Sequence, residues 1–279
     1  MKKIILMVFA SAALLFNSCD KIDSPYGVVG TIDTTSQDSI VRNILLEDFT
    51  GHTCVACPQA HAEALRLQGQ FGSRLVVLSI HSGFFAKPQP HANGSFAYDF
   101  RTPVGDDITT AFGIGSTYPK GIINRSIIGG GTIDLDWPSW EPAITNQLNK
   151  VADATLKINN SFNATDSNVS STVDIKAINA LTDPVSICVF VVEDSIVNWQ
   201  KDGTIDVQFY THRHVLRGSL NGSFGQSQGS MSAGQLLSRT YSGKLMRTDI
   251  NPNQVYIYAI LINDNTKEVI QVEEKKLIN

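Results

Sequence analysis

Cys54 and Cys57 stand in the run Thr53-Cys54-Val55-Ala56-Cys57-Pro58, between an apolar segment, Leu45 to Phe49, and a stretch with helical periodicity. A thiol at a helix start faces unpaired backbone N–H groups and the positive end of the helix dipole, so its thiolate is favoured. Cys54 is placed for that effect, with Cys57 one turn inside. Two intervening residues also let the sulfurs join in a small ring that can open and close without unfolding the domain. The chemistry that fits is thiol–disulfide exchange, in which Cys54 attacks a substrate disulfide and Cys57 resolves the mixed disulfide. A static disulfide that braces the loop satisfies the same spacing. A metal site built from Cys54, Cys57 and His61 has helical spacing but no fourth ligand, and haem attachment needs a histidine where Pro58 stands. Neither a metal nor a cofactor is expected.

Other residues with chemical potential are scattered along the chain. His52, two positions before Cys54, either stabilises a thiolate or is a solvated turn residue. His81 and His91 flank an aromatic, proline-containing segment, Gly83 to Phe100, which is either a lid beside the cysteines or surface decoration. His212 and His214 would share one side of a strand; strand packing explains them better than metal binding, because no carboxylate or cysteine lies near in sequence. Cys188, within Ile187-Cys188-Val189-Phe190, behaves as a small buried hydrophobe and is expected to be free and inert.

The elements that must position the cysteine pair follow from periodicity. Asn43 to Phe49 and Leu75 to Ile80 read as buried strands, and Pro58 to Phe71 as a helix with Ala60, Ala64, Leu67 and Phe71 on one face. This is a βαβ unit with a right-handed crossover. A short helix near Asp107 to Phe112, a strand opened by Tyr118-Pro119 and running through Lys120 to Asn124 into Arg125 to Ile128, a Gly-rich break and a helix from Trp137 to Val151 complete the first half. From about Ala154 the pattern changes to alternating runs, at Ala154 to Phe162, Val169 to Ala180, Val185 to Val192, Gln235 to Leu245, Val255 to Ile262 and Val269 to Leu277. Short strands with frequent turn signals suggest an antiparallel sandwich. Asn198 to Gln228 fits less well and reads as a long loop or a pair of edge strands. The fold class expected is α/β followed by all-β, with domains at 41–152 and 153–279.

Met1 to Ser18 carries two lysines and then a thirteen-residue apolar run, a signal-peptide core too short to span a membrane. Residues 19–40 are rich in Ser, Thr, Asp, Gly and Pro, as expected of a flexible tether. The full sequence is 42% hydrophobic and 17% charged, a composition for a folded ectodomain. Removing Lys2 and Lys3 with the leader takes the formal charge from −4 to −6, which disfavours nucleic acid as a partner. Outside the cytoplasm, Cys54, Cys57 and Cys188 lie where disulfides persist.

Three resemblances sharpen these readings. Leu15-Phe16-Asn17-Ser18-Cys19 resembles a bacterial lipobox, which implies cleavage before Cys19, lipidation of Cys19 and attachment to a membrane through that lipid. The order β-α-β-α-β-β-α, with Cys-x-x-Cys at the first helix and Asp48-Phe49 six residues before Cys54, resembles the thioredoxin fold. That resemblance implies a buried acid/base at Asp48 and a cis-proline at Pro119, although the usual Trp-Cys-Gly-Pro-Cys is replaced here by Thr53-Cys54-Val55-Ala56-Cys57. Finally LLEDFTGHTCVACPQAHAEA, STYPKGIINR, VVEDSIVNWQ and YTHRHVLRGSLNGSFG resemble the Omp28-related outer membrane lipoproteins of Bacteroidetes, over roughly residues 43 to 279. Membership implies outer-membrane attachment and a thioredoxin-like domain followed by an immunoglobulin-like β-sandwich. The functional expectation is an outer-membrane-anchored lipoprotein whose catalytic set would be Cys54, Cys57, Asp48, Pro119 and His52, acting on protein thiols or disulfides. The alternative is a surface receptor or adhesion module with a structural Cys54–Cys57 disulfide.

Overall fold

The structure is a computed structural model and describes residues 41–128, 131–245 and 247–278. The expected leader 1–18, the tether 19–40 and the lipidation site Cys19 lie outside the described residues.

The protein is mixed α/β, mostly strands in sheets with few helices. Strand β1 (Ile44–Thr50) leads through the cysteine loop into helix α1 (Cys57–Phe71), which returns to β2 (Leu75–His81), parallel to β1 and paired along its whole length. Both strands are buried at every position, as their unbroken apolar runs require of strands covered on both faces. Pro58 sits at the start of α1, where a missing N–H costs nothing, and Gly72 ends it with a φ of 59°, a conformation that favours glycine. Ala60, Ala64 and Leu67 form the buried face of α1. Two short helices follow, α2 (Gly83–Ala86) and α3 (Pro103–Ala111), the latter capped by the Thr102 hydroxyl, which accepts the Gly105 N–H at 3.0 Å. The Tyr118–Pro119 peptide bond is cis and leads into β3 (Lys120–Ile123), antiparallel to β1. Strand β4 (Asp134–Leu135) and helix α4 (Trp140–Leu148) complete this half.

Arg125 to Ile128 is not a strand. Asn124 and Arg125 both take positive φ, because each is turned inward by a tertiary bond. The Asn124 side-chain oxygen accepts the Leu45 N–H at 2.8 Å, and the Arg125 guanidinium makes two bonds to Glu47, at 2.9 and 2.7 Å, with both side chains fully buried. Removing one partner leaves an uncompensated buried charge, so Arg125→Met is expected to cost about 3–5 kcal/mol, read by urea denaturation.

The second half supplies β5 (Ala154–Asn163), β6 (Asn168–Ala177), β7 (Leu181–Glu193), β8 (Ile196–Asp202), β9 (Ile205–His212), β10 (Val215–Ser219), β11 (Gln226–Met231), β12 (Leu236–Lys244), β13 (Val255–Asn263) and β14 (Val269–Lys276). The main sheet runs β14-β13-β7-β10-β2-β1-β3-β4, so strands from both sides of residue 152 share it; β10 pairs in parallel with β2 through Val215 and Ser79. Strand β7 is the link. Its Val185, Ile187, Val189 and Val191 pack towards the β12-β6-β5 sheet, whereas Cys188, Phe190 and Val192 join Leu45, Phe49, Val76, Leu78 and Ile80 of β1 and β2. A strand buried on both faces shows a continuous apolar run, as β7 does. The far face of β1 and β2 is covered by α1 and by Trp140, Ala143 and Ile144 of α4.

Strands β8 and β9 form a separate two-stranded hairpin. It lies against the cysteine loop and not on the sandwich.

Candidate functional site

The turn from β1 into α1 places the cysteines. Gly51 approaches the backbone of Phe85 and Ala86 so closely that a Cβ would overlap it, which is why glycine stands there. The Cys54 N–H donates to the Gly51 carbonyl at 3.0 Å, and Thr53 donates its N–H and its hydroxyl to the Phe85 carbonyl at 3.1 and 3.0 Å. Helix α1 begins at Cys57, so that residue, and not Cys54, occupies the first helical turn. The two sulfurs form a disulfide, with Cα atoms 5.5 Å apart. Cys54 is 2% exposed and Cys57 is fully buried, whereas Val55 between them is half exposed.

The hairpin is what covers the pair. The Lys201 N–H donates to the His52 carbonyl at 2.8 Å, and the Gly203 N–H to the Val55 carbonyl at 3.0 Å. The side-chain amide of Gln200, itself buried, donates to the Cys54 carbonyl at 3.0 Å. These bonds join residues almost 150 positions apart and close β8 over the loop. The expectation that Cys54 would be an exposed nucleophile is therefore not met in this conformation.

Asp48 lies on β1 and is fully buried; among the described residues neither carboxylate oxygen has a hydrogen-bond partner. Burial without compensation pushes its carboxyl up to about 8, so it is protonated at neutral pH. The nearest basic group is His61 Nε2, 3.5 Å from Asp48 Oδ2. His61 sits one turn beyond Cys57 on α1; its Nε2 also meets the Thr50 hydroxyl at 2.8 Å and its Nδ1 meets the Tyr210 hydroxyl of β9 at 2.6 Å. Burial pushes His61 down to about 4, so both members of the Asp48–His61 pair are uncharged at pH 7.

Three further histidines gather here. His52 stacks on Phe96 with ring centres 5.7 Å apart, His81 stacks on Phe100 at 4.6 Å, and His212 lies 4.5 Å from Phe100 and 5.4 Å from His81. His52 is thus a buried packing residue and not a solvated turn residue. Burial pushes His52 down to about 4 and His212 to about 3, and holds His81 well below the usual range, with His212 and His61 adding to the effect. Phe96 and Phe100 bring the segment after α2 into this cluster, so it lies beside the cysteine loop. His212 ends β9, and His214 follows with a φ of 53°, so the two do not share a strand face; His214 Nε2 instead reaches the Gln68 side chain at 3.0 Å. Among the described residues no three His, Cys, Asp or Glu side chains converge for a metal ion. Cys188 is a free, buried thiol, pushed up to about 12 by burial.

Tyr118, the residue before the cis-proline, is tied to this region indirectly. Its hydroxyl meets Ser82 at 2.7 Å, and its ring lies 5.8 Å from Phe85, whose carbonyl holds Thr53. Gln200 and Tyr210 had no signal in the sequence beyond their place in a polar segment, and only the hairpin's docking makes them part of the site.

Residues 106–279 match the family described as outer membrane protein Omp28. The matched span begins beyond the cysteine loop. Among solved structures, HBP35 of Porphyromonas gingivalis is 15% identical, with 86% of this chain and 76% of that chain covered and a TM-score of 0.61. Protein AGR_C_4864 from Agrobacterium tumefaciens is 16% identical, with 85% and 95% covered and a TM-score of 0.50. A domain of the outer membrane lipoprotein Omp28 from Porphyromonas gingivalis is 21% identical, with 46% of this chain and 90% of that chain covered and a TM-score of 0.31. No curated protein matches the chain. Among the described residues no helix is long and apolar enough to cross a membrane. The match takes in well over half of the sequence, and the chain belongs to the Omp28 family of outer membrane proteins.

Proposed function

We propose that this outer membrane protein is held by a lipid on Cys19 and carries a thioredoxin-like unit, residues 41–152, whose Cys54–Cys57 pair performs thiol–disulfide exchange with proteins of the envelope. An immunoglobulin-like sandwich, residues 153–279, is joined to that unit through the shared sheet. The observation that carries the reading is Asp48. A buried acid with no partner among the described residues lowers stability, and a fold that merely braced a structural disulfide would gain nothing from keeping it. An acid that is protonated at neutral pH can supply a proton to a thiolate released when the disulfide opens, and can take one back when it closes.

Exchange requires the hairpin to lift, since it seals Cys54. Lifting breaks the hydrogen bonds from Gln200, Lys201 and Gly203 to the loop and leaves the main sheet intact. The test is the thiol-dependent reduction of a model protein disulfide by the purified ectodomain. Wild type should turn over, and Cys54→Ser should abolish turnover; equal rates for the two proteins would rule the reading out.

The outer face of the hairpin supports a second reading. Val197, Ile205 and Phe209 are 56%, 65% and 77% exposed, an apolar face of the kind that contacts a ligand, and the disulfide beneath would then be a permanent brace. That reading expects a disulfide inert to protein thiols, and loss of surface binding when these three residues are made polar.

A further inference from the structure

Strands β8 and β9 pair only with each other, and the outer edge of β8 is closed by the cysteine loop through the Lys201 and Gly203 N–H groups. Beyond β8, nothing among the described residues pairs with the backbone of β9. Alternate N–H and C=O groups along Ile205–His212 therefore face solvent, and most of these residues are exposed. Such an edge is a template for another strand, and folded proteins ordinarily blunt it with lysine, proline or a covering element. Ile205–His212 contains neither lysine nor proline, and its carboxylate, Asp206, is met by Lys201 across the hairpin at 3.4 Å. The single irregularity is a bulge in which Gln208 and Phe209 stand opposite Trp199. A bulge re-aims a side chain, and Phe209 is the most exposed large apolar residue of the hairpin.

The two faces of the hairpin differ. Tyr210 and His212 turn inwards, to His61 and to Phe100, so Phe209 and Thr211 turn outwards. Val197 joins them, because it pairs with Thr211. The tip carries this surface to the disulfide: Gly203, two residues before β9 begins, donates to the carbonyl of Val55, which is half exposed between the two cysteines. An apolar face alone suits many partners. A row of unpaired backbone donors and acceptors beside it suits an extended chain, which supplies the matching row.

We propose that the free edge of β9 docks an extended apolar segment of the protein whose disulfide is exchanged, backbone paired to backbone, with Phe209 and Val197 against its side chains. The inference rests on the thiol–disulfide reading and names the substrate class, unfolded or partly folded chains, since folded proteins keep their strands paired or covered. A segment laid along β9 ends at the tip, beside Val55, and so brings its neighbouring residues to the cysteine loop. The edge also survives opening, because lifting breaks bonds between β8 and the loop and none between β8 and β9.

The test uses the purified ectodomain and a fluorescein-labelled peptide of about ten residues, valine alternating with threonine between terminal lysines. Wild type should bind it, with slowed amide hydrogen exchange along residues 205–212. Phe209→Lys, a change at an exposed position, and N-methylation of the peptide backbone should each weaken binding about tenfold or more. In thiol-dependent turnover, Phe209→Lys should slow reduction of an unfolded model protein's disulfide about tenfold more than reduction of glutathione disulfide. No binding by wild type, or equal binding of the N-methylated peptide or by Phe209→Lys, overturns the docking edge and leaves the exchange reading standing. A wild type that binds no peptide but forms a dimer that Phe209→Lys dissolves does the same, since β9 then pairs with a second copy. Peptide binding of the expected kind in a protein without thiol turnover overturns the exchange reading and leaves the docking edge standing.

Discussion

In the Asp48→Asn protein, the destabilisation that Asp48 imposes on wild type as pH rises between about 4 and 8 disappears. Asp48 has a folded value near 8 against an ordinary value of 3.8, so the folded state holds a proton that the unfolded state has released. A raised folded value makes the contribution to stability full below the unfolded value and lost as pH rises through the folded one. Each pH unit inside that window costs about 1.4 kcal/mol at most, so between about pH 6 and 8 Asp48 by itself removes roughly 2 kcal/mol, which appears as the difference in pH dependence between wild type and Asp48→Asn. Asparagine has the same shape and no proton to lose. Urea denaturation of the oxidised protein at pH 6 and pH 8 reads the difference directly, and an Asp48→Asn protein with the wild-type slope would show that Asp48 is ionised in the fold. If Asp48 serves the disulfide, the same substitution slows exchange, so the variant gains stability as it loses activity.

Acidification should act in the opposite sense and more strongly. His52, His61 and His212 are held neutral by burial, at about 4, 4 and 3, while the unfolded chain protonates near 6.5. A lowered folded value means stability is complete above the unfolded value and is lost as pH falls through the folded one. Between about pH 6.5 and 4.5 each of these histidines removes roughly 2 kcal/mol, and His81 acts in the same direction. Asp48 returns part of that, being one group against four. Because folded proteins hold only about 5–15 kcal/mol in total, the net loss is large enough to open the hairpin or the domain near pH 4.5. Stability should therefore peak between about pH 6 and 7.5. The check is a denaturation series across pH with hydrogen exchange on residues 196–212; a flat profile from pH 7 to 4.5 would mean that the histidines are solvated.

Much of this arrangement was legible in local patterns, and the rest depended on contacts that local patterns do not encode. The βαβ unit was visible because Ile44 to Thr50 and Leu75 to His81 are apolar throughout and Ala60, Ala64 and Leu67 recur at helical spacing. Four of the six sandwich runs are within two residues of the observed boundaries at both ends; β6 ends three residues before its run, at Ala177, and β7 begins four residues earlier than its run, at Leu181. The stretch Arg125 to Ile128 misled because its residues favour extended structure, yet Arg125 must turn inward to meet Glu47. Tertiary pairing overrides propensity there. Asn198 to Gln228 read as a loop or edge strands because its polar content hides alternation; two of its strands, β8 and β9, form an isolated hairpin, which has only one buried side.

The cysteine spacing announced a disulfide-forming loop, and Asp48 was marked by its distance from Cys54. What covers the loop was not readable, because the covering residues lie almost 150 positions away and carry no motif. Gln200 contributes a side-chain amide and Lys201 and Gly203 contribute backbone N–H groups, which any residue but proline can do. His61 was noticed only as a possible metal ligand. Its contact with Tyr210 joins residues 149 positions apart, which no local pattern encodes.

The central claim, that Cys54 and Cys57 exchange with protein thiols, is tested most directly by a redox titration of the purified ectodomain with thiol trapping of the two cysteines. The account predicts a reduction potential between about −270 and −120 mV, the range of working oxidoreductases. A potential below about −300 mV would place the pair with structural disulfides and contradict it.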